Sequence, residues 1–189
     1  GSYSGFQSNF VFLPKIGYSV GQGRHRWGAS YTKGYRTAGV SINRQRATAV
    51  EYDPEFTDNY ELSYKYMNPS FQFSANLFYI QWKDQQVQIQ LSNNFYDTQV
   101  ENAARSNLLG GEVETRFLLT SNQKINFGVG FTQTEFEDFE TLSENYDGNE
   151  FPYAPQFTGR LSHILNLTED LQFLTVFRYL EKSYNNAEN

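Results

Sequence analysis

The sequence predicts an all-β fold, an antiparallel up-and-down transmembrane β-barrel, from three observations. Apolar and polar residues alternate with period two, the alternating segments are long, and short connections alternate with long ones between them. Of the 189 residues, 39% are hydrophobic and 17% aromatic. Because no run approaches the roughly 20 consecutive apolar residues of a membrane-spanning helix, a helical membrane protein is excluded.

Period two is the signal of each strand, since successive side chains of a strand point to opposite faces. In "NYELSYKY" the residues Tyr60, Leu62, Tyr64 and Tyr66 alternate with Glu61, Ser63 and Lys65. The same test predicts eight strands, near residues 8–20, 24–37, 58–67, 70–91, 106–119, 124–136, 156–166 and 171–183. Several exceed the roughly 5–6 residues of ordinary strands and reach the roughly 9–11 that cross a bilayer.

The strands repeat this pattern one after another. The apolar sets are Trp27, Ala29, Tyr31 and Tyr35, then Val87, Ile89 and Leu91, then Leu109, Val113, Phe117 and Leu119, then Ile125, Phe127, Val129 and Phe131, and finally Phe157, Leu161 and Leu165. The residues between them are mostly Gly, Ser, Thr, Asn and Gln, with isolated charges. One face of the predicted sheet is therefore apolar and the other polar.

The connections differ at the two ends of the strands. Short turns rich in Gly, Pro, Asn, Asp and Ser lie at 21–24, 67–70, 120–123 and 167–170. Long polar segments lie at 37–57, 92–105 and 137–155. Short turns at one end and long loops at the other are typical of an outer-membrane barrel, whose interfaces also carry girdles of aromatic residues.

A soluble β-sandwich, or an adhesin-like module that binds without transport, is the alternative that this pattern leaves open. In a sandwich the face opposite the apolar one meets bulk water and should be rich in Lys, Glu and Thr. The small and amide residues found here favour the barrel. The net charge of −6 makes nucleic acid an improbable partner, and the absence of cysteine removes disulfides and thiolate metal sites.

Several longer blocks carry a resemblance to a known family. They are "FLPKIGYSV" (12–20) with "GASYTKGYR" (28–36), then "YDPEFTDNYELSYKY" (52–66), "ANLFYIQWKDQQVQ" (75–88), "ENAARSNLLGGEVE" (101–114) and "FPYAPQFTGRL" (151–161). In this order and spacing they resemble the β-barrel domain of TonB-dependent outer-membrane receptors, over about residues 10–184.

This resemblance implies a bacterial outer-membrane location and a barrel of about 22 strands, of which residues 1–189 would supply eight. The plug domain and the closing strands are expected to lie outside this chain. The implied partners are outer-membrane lipid, the plug domain and the TonB complex of the full-length protein. The implied ligand is first a ferric siderophore, and next cobalamin or an oligosaccharide, taken up by energy-coupled transport.

Charged residues on the polar face of the strands indicate a wide barrel. They are Glu61, Lys65, Glu112, Glu114, Arg116 and Arg160. A closed eight-stranded barrel is filled by its own side chains, so these charges would have to pair, whereas a wide barrel lets them contact water or a plug. We therefore expect them to face the lumen.

Two loops hold the candidate ligand contacts. Segment 34–52 contains Tyr35, Arg36, Arg44, Arg46 and Tyr52, a combination that suits an anionic aromatic chelate. The alternative is that each arginine pairs with a carboxylate at the rim. The acidic segment 135–150 contains Phe136, Phe139 and Tyr146, which either contact ligand or pack the loop against its neighbours. Its spacing does not match a calcium loop, so no metal site or cofactor is predicted.

Catalysis has little support in the sequence. The two histidines, His25 and His163, have no serine or aspartate placed beside them by a known nucleophile motif. We therefore expect a protein that is not an enzyme.

Overall fold

The computed structural model of the chain describes residues 10–94, 96–141 and 144–188. It contains the strands β1 (Lys15–Gln22), β2 (His25–Arg36), β3 (Gly39–Asn43), β4 (Thr48–Tyr52), β5 (Glu55–Met67), β6 (Phe71–Gln90), β7 (Thr98–Thr120), β8 (Gln123–Asp138), β9 (Phe157–Asn166) and β10 (Gln172–Leu180). Across these ranges, no helix has the length and apolar character needed to cross a membrane.

Eight strands form one antiparallel sheet in the order β1-β2-β5-β6-β7-β8-β9-β10. Each strand of this sheet pairs with the next one along the chain, and β1 and β10 lie at the two edges. The predicted all-β, up-and-down arrangement is confirmed. Residues 8–9 of the first predicted strand lie outside the described residues, and its predicted start was too early, because β1 begins only at Lys15.

Two predicted boundaries were wrong at the loop end of the sheet. The segment 37–57 was predicted as a loop, yet it contains the separate hairpin β3–β4. The segment 92–105 was also predicted as a loop, yet β7 already begins at Thr98 and pairs with β6 up to Gln90. The start of β7 is polar and lacks the apolar alternation of a half-buried strand, whereas β3 and β4 alternate over only five residues each, too short a run to stand out from a polar loop.

The opposite end of the sheet is closed by tight turns, as predicted. Gly23 has a φ of 60° at the first position of the two-residue loop between β1 and β2, a conformation that favours glycine and suits a type II′ turn. Between β5 and β6, the Asn68 side chain accepts hydrogen bonds from the backbone N–H groups of Ser70 at 2.9 Å and Phe71 at 2.7 Å.

The register separates the strand residues into two faces. On one face, which we call the apolar band, Leu62 pairs with Ala29 and Leu77, while Val113 pairs with Ala75 and Val129. Most large side chains of the band are exposed, Leu77 to 61%. An exposed apolar surface of this size is not a feature of a soluble monomer and indicates a partner or a lipid.

The band has a defined height. Along β6 it runs from Phe71 to Tyr79, about 27 Å at the rise of an antiparallel strand, or about 21 Å once the strands tilt by about 40°. Next to the band, toward the loop end of the sheet, lies a polar row formed by Lys33, Asp58, Gln81, Asn107 and Glu135, paired in that order. The height is close to the roughly 25 Å apolar belt of a bilayer-crossing barrel.

The buried core lies at the loop end rather than between the strands of the band. It comprises Val87, Ile89, Ala103, Phe136, Phe139, Tyr146, Phe151 and Ala187, with Trp82, Leu91 and Ala154 packed against it. We call this set the loop core. By alternation from Gly130, Phe136 lies on the polar face, so the loop core covers that face at its loop end.

Strand β6 enters the loop core through a break in its alternation. Trp82 and Val87 are five residues apart, so a regular strand would place them on opposite faces, yet both pack in the loop core. Asp84 lies between them with a φ of 56°, in the left-handed region. This irregular residue allows the upper part of β6 to turn Val87 and Ile89 inward.

Candidate functional site

The polar face of the sheet brings the six predicted lumen residues onto one side. The paired positions Arg26, Lys65, Ser74, Glu114, Gly128, Arg160 and Arg178 form one lateral row across seven strands. On the same face, Glu112 and Arg116 belong to the two adjacent rows, and Glu61 lies in the row beyond that of Glu112. Acidic and basic groups are thus interspersed on a single surface.

Side-chain hydrogen bonds tie the strands together on this face. Arg116 Nε donates to Asn126 Oδ1 at 3.0 Å, and Asn126 Nδ2 donates to Ser162 Oγ at 3.0 Å, which links β7, β8 and β9. A groove of 430 Å³ lies here, and Lys65, Glu114, Arg116 and Arg160 are among its lining residues. Four of the six predicted lumen residues therefore surround one polar groove.

At the loop end, hairpin β3–β4 is fastened to the segment before β7. Asp97 accepts hydrogen bonds from Asn43 Nδ2 at 2.6 Å and from Arg46 Nε at 2.9 Å, and Arg46 Nη2 also donates to the Leu91 carbonyl at 2.8 Å. We call this arrangement the hairpin clasp. The Arg46 guanidinium holds the pKa of Asp97 well below its usual range, and hydrogen bonds from Ser92 and Asn43 contribute.

The base of the hairpin is held by amide side chains on β6 and β7. Gln86 Nε2 donates to the carbonyls of Thr37 at 2.8 Å and Asp53 at 3.1 Å. Asn102 Oδ1 accepts from the backbone N–H of Asp53 at 2.8 Å, and Asn102 Nδ2 donates to the Asp84 carbonyl at 2.7 Å. The long connection between β2 and β5 is thereby joined to the β6–β7 extension along most of its length.

The three aromatic ligand candidates of the acidic loop are part of the loop core. Phe136 and Phe139 are each 1% exposed, with ring centroids 5.1 Å apart, and Phe139 stacks on Tyr146 at 4.8 Å. Their surface is taken up by packing, so the structure supports the packing alternative for Phe136, Phe139 and Tyr146. Sequence alone left this open because an aromatic in an acidic loop suits either role.

The remaining candidates do not form one arginine surface. Arg46 belongs to the hairpin clasp, as the carboxylate-pairing alternative expected. Tyr35 packs on Phe56 with centroids 5.2 Å apart, and Tyr52 lies so close to Gly39 that a side chain there would overlap its ring. Arg36 ends β2 opposite Glu55, and Arg44 is exposed in the turn of the hairpin. Ligand contact by Tyr35, Arg36, Arg44 and Tyr52 stays a prediction.

A second groove, which sequence reasoning missed, lies beside the loop core. It has a volume of 500 Å³ and is lined by Gln85, Gln86, Val87, Gln88, Ile89, Gln90, Thr98, Phe136, Phe151, Pro152, Tyr153, Asn185 and Asn186. We call it the amide groove. The run "QQVQIQ" was the available signal, but its alternation by itself predicts only a strand.

The histidines have structural partners. A ring nitrogen of His25 lies 2.8 Å from the Tyr64 hydroxyl, and His163 Nε2 lies 3.2 Å from Gln123 Oε1. Within 10–94, 96–141 and 144–188, no group of three or more His, Asp or Glu side chains is placed to hold a metal ion.

Comparison with known proteins places the chain in a structural context. A family profile described as "TonB dependent receptor-like, beta-barrel" matches residues 2–189. Among solved structures, the ferric yersiniabactin uptake receptor FyuA from Yersinia pestis is 22% identical with a TM-score of 0.71, over 93% of this chain and 26% of that one. The siderophore receptor PiuA from Acinetobacter baumannii is 18% identical with a TM-score of 0.70, over 94% and 27%.

The copper transporter OprC is 15% identical with a TM-score of 0.71, over 89% of this chain and 26% of that one. At these identities the likeness concerns the fold. The chain spans about a quarter of the length of the solved structures that it matches, covering 26% of FyuA and 27% of PiuA.

Proposed function

This chain belongs to the TonB-dependent receptor-like β-barrel family, and from that membership we propose that it forms part of the wall and outer loops of an outer-membrane active transporter for a ferric siderophore. The family match over residues 2–189 carries the proposal. Among the structures it resembles, FyuA is described as a ferric yersiniabactin uptake receptor, PiuA as a siderophore receptor and OprC as a copper transporter.

The two faces of the sheet support a place in a barrel wall. The exposed apolar band suits lipid, with the tight turns at the periplasmic end and the long connections outside the cell. The opposite face, with Glu61, Lys65, Glu112, Glu114, Arg116 and Arg160, suits a wet lumen that contains a plug domain. Charges on such a surface stay hydrated or meet plug residues, which avoids a large desolvation penalty.

In this proposal the outer loops capture the ligand, while transport needs the plug and the TonB complex of the full-length protein. Of the predicted arginine contacts, Arg44 lies exposed in the hairpin turn outside the hairpin clasp, and Arg36 is exposed at the end of β2. A ligand that depended on either charge would lose affinity in Arg44→Ala or Arg36→Ala.

The test uses the full-length receptor in a host that lacks its own ferric chelate receptors. Uptake of radioactive iron supplied as a ferric chelate should require the receptor and should stop when an uncoupler dissipates the proton-motive force. Host cells without the receptor gene are the matched control. Chelate binding that never leads to uptake would instead indicate the alternative, an outer-membrane binding module without transport.

A further inference from the structure

We propose that the amide groove binds a ligand without net charge, one that offers hydroxyl or carbonyl groups to the amide side chains and an apolar face to Tyr153. This inference rests on the proposed function and narrows it, because it distinguishes neutral chelates from anionic ones.

The groove has an uncharged lining. The described residues that line it comprise four glutamines, two asparagines, a threonine and six apolar or aromatic residues, and none of them is Lys, Arg, Asp or Glu. Three carboxylates lie close enough to Tyr146 of the adjacent loop core to affect its pKa. Burial raises the pKa of Tyr146, and Glu188, Glu144 and Glu101 raise it further. A negative potential of this kind disfavours an anionic ligand.

The groove also has hydrogen-bonding capacity that the protein does not use. Gln85 Oε1 is buried and finds no hydrogen-bond partner among the described residues. A buried amide oxygen without a donor is unusual, and a ligand hydroxyl or N–H would satisfy it. Amide side chains both donate and accept, so they match hydroxyl and carbonyl groups better than they match a carboxylate or catecholate oxygen.

Two of the glutamines that line the amide groove are held in place. Gln86 is fixed by the Thr37 and Asp53 carbonyls, and Gln90 Nε2 donates to the Ser92 carbonyl at 2.6 Å. These side chains therefore keep their position when the ligand is absent, which lowers the entropy cost of binding.

Tyr153 lies at the edge of the groove and offers an apolar contact surface. Its side chain is 70% exposed, and its φ of 59° lies in the left-handed region, which an aromatic residue rarely adopts. Strain of this kind collects at ligand-binding positions. An exposed ring beside a row of amides provides one apolar and one polar contact surface, and the 500 Å³ volume lies within the range of small-molecule sites.

The experiment measures binding to the full-length receptor with three probes. They are a neutral ferric trihydroxamate, a trianionic ferric tris-catecholate of similar size, and maltotriose, which is neutral and contains no iron. We expect a neutral probe to bind more tightly than the catecholate. Replacing the buried acceptor or the ring should weaken that binding by about tenfold, the effect of one lost buried interaction, in Gln85→Leu and in Tyr153→Ala.

Matched controls separate this effect from loop misfolding. Gln45→Leu changes an exposed amide in the hairpin turn, and Tyr96→Ala changes an exposed tyrosine outside the groove lining; both should bind as the parent does. Tyr153→Phe, which retains the ring, should also keep its affinity.

Each outcome decides something. Preference for the trihydroxamate supports both the inference and ferric uptake, while binding of maltotriose alone supports the neutral groove and overturns the ferric siderophore. Tighter binding of the catecholate, or unchanged affinity in both Gln85→Leu and Tyr153→Ala, overturns the inference. If these variants still take up radioactive iron as the parent does, the proposed transport function stands without it.

Discussion

The two halves of strand β6 treat apolar side chains in opposite ways. In the lower half, which belongs to the apolar band, Leu77 is 61% exposed. In the upper half, beyond Asp84, Ile89 is 4% exposed and packs in the loop core with Phe136 and Phe151. The same strand, with the same kinds of residue, therefore meets two different surroundings.

The difference is explained by which solvent each half meets. Leaving apolar surface in water costs about 25 cal/mol for each Å², so a side chain at the water-exposed loop end gains by burial. Lipid tails are themselves apolar and impose no such cost, so side chains in the band need no protein neighbour. The loop core is thus an ordinary hydrophobic core, while in the proposed barrel wall the band uses lipid in place of one.

The largest effect is expected when a ring is removed from the loop core, which tests whether the two halves of β6 differ as described. Phe136→Ala should lower the free energy of opening the loop by about 3–5 kcal/mol, because it leaves a cavity among packed aromatics. Hydrogen exchange of the Gly148 amide, which donates to the Phe136 carbonyl, would report the opening. Phe127→Ala, on the band of the same strand, should have a small effect, and equal effects from both variants would refute the distinction.

A charge placed in the band tests the other side of the comparison. Leu77→Arg should cost about 2–4 kcal/mol in folding of the full-length protein into bilayers, as a cation on the lipid face does. Asn76→Arg is the matched control, since Asn76 points to the polar face and pairs with Glu112. Denaturant titration in vesicles gives both values. If Asn76→Arg proved the more damaging, the two faces would have to be exchanged.

The sequence predicted the band better than the loop core, for a physical reason. Alternation such as Tyr60, Leu62 and Tyr64 is set by the period of a single strand, and the observed register places these residues on one face. The loop core joins Val87, Phe136 and Phe151, which come from three separate segments. No local pattern encodes such a meeting.

The same reason limited the prediction of the candidate site. The six charges of the polar face were predicted to share one side because each lies on a regular strand. The partner of Arg46 was not predictable, since Asp97 is 51 residues away and is brought close by the unpredicted hairpin. The groove beside the loop core depends in addition on Asp84, whose positive φ changes which β6 residues point inward.

A smaller effect is expected where the polar face itself is tightly packed. A methyl group on Gly110 would overlap the Phe78 ring and lie 3.0 Å from the Phe131 carbonyl, so Gly110→Ala should cost about 1–3 kcal/mol. Gly128→Ala is the control on the same face, because the atoms nearest to its added methyl group are 3.9 Å away. The free energy of unfolding should therefore be lower for Gly110→Ala than for Gly128→Ala. Equal values would mean that the polar face is not packed at Gly110.

The smallest effect is expected at the hairpin clasp, which can be titrated. Arg46 lowers the pKa of Asp97 when the hairpin is docked, whereas the pKa of an undocked aspartate is about 3.9. The stabilisation is therefore complete above that pH and declines as the pH falls below it, because the undocked state then binds a proton that the docked state does not. A spin label at position 45, in Gln45→Cys, would report undocking as increased mobility.

The comparison variant for this titration is Asp97→Asn in the same labelled protein. Its label should already be more mobile at neutral pH, because the charge that holds Arg46 is gone, and its mobility should no longer depend on acid in this range. Asp170→Asn, at the opposite end of the sheet, should leave the label unchanged at every pH. Mobility in the parent that stays constant well below about pH 4 would show that the hairpin is held by its other contacts, to Gln86 and Asn102, rather than by the carboxylate.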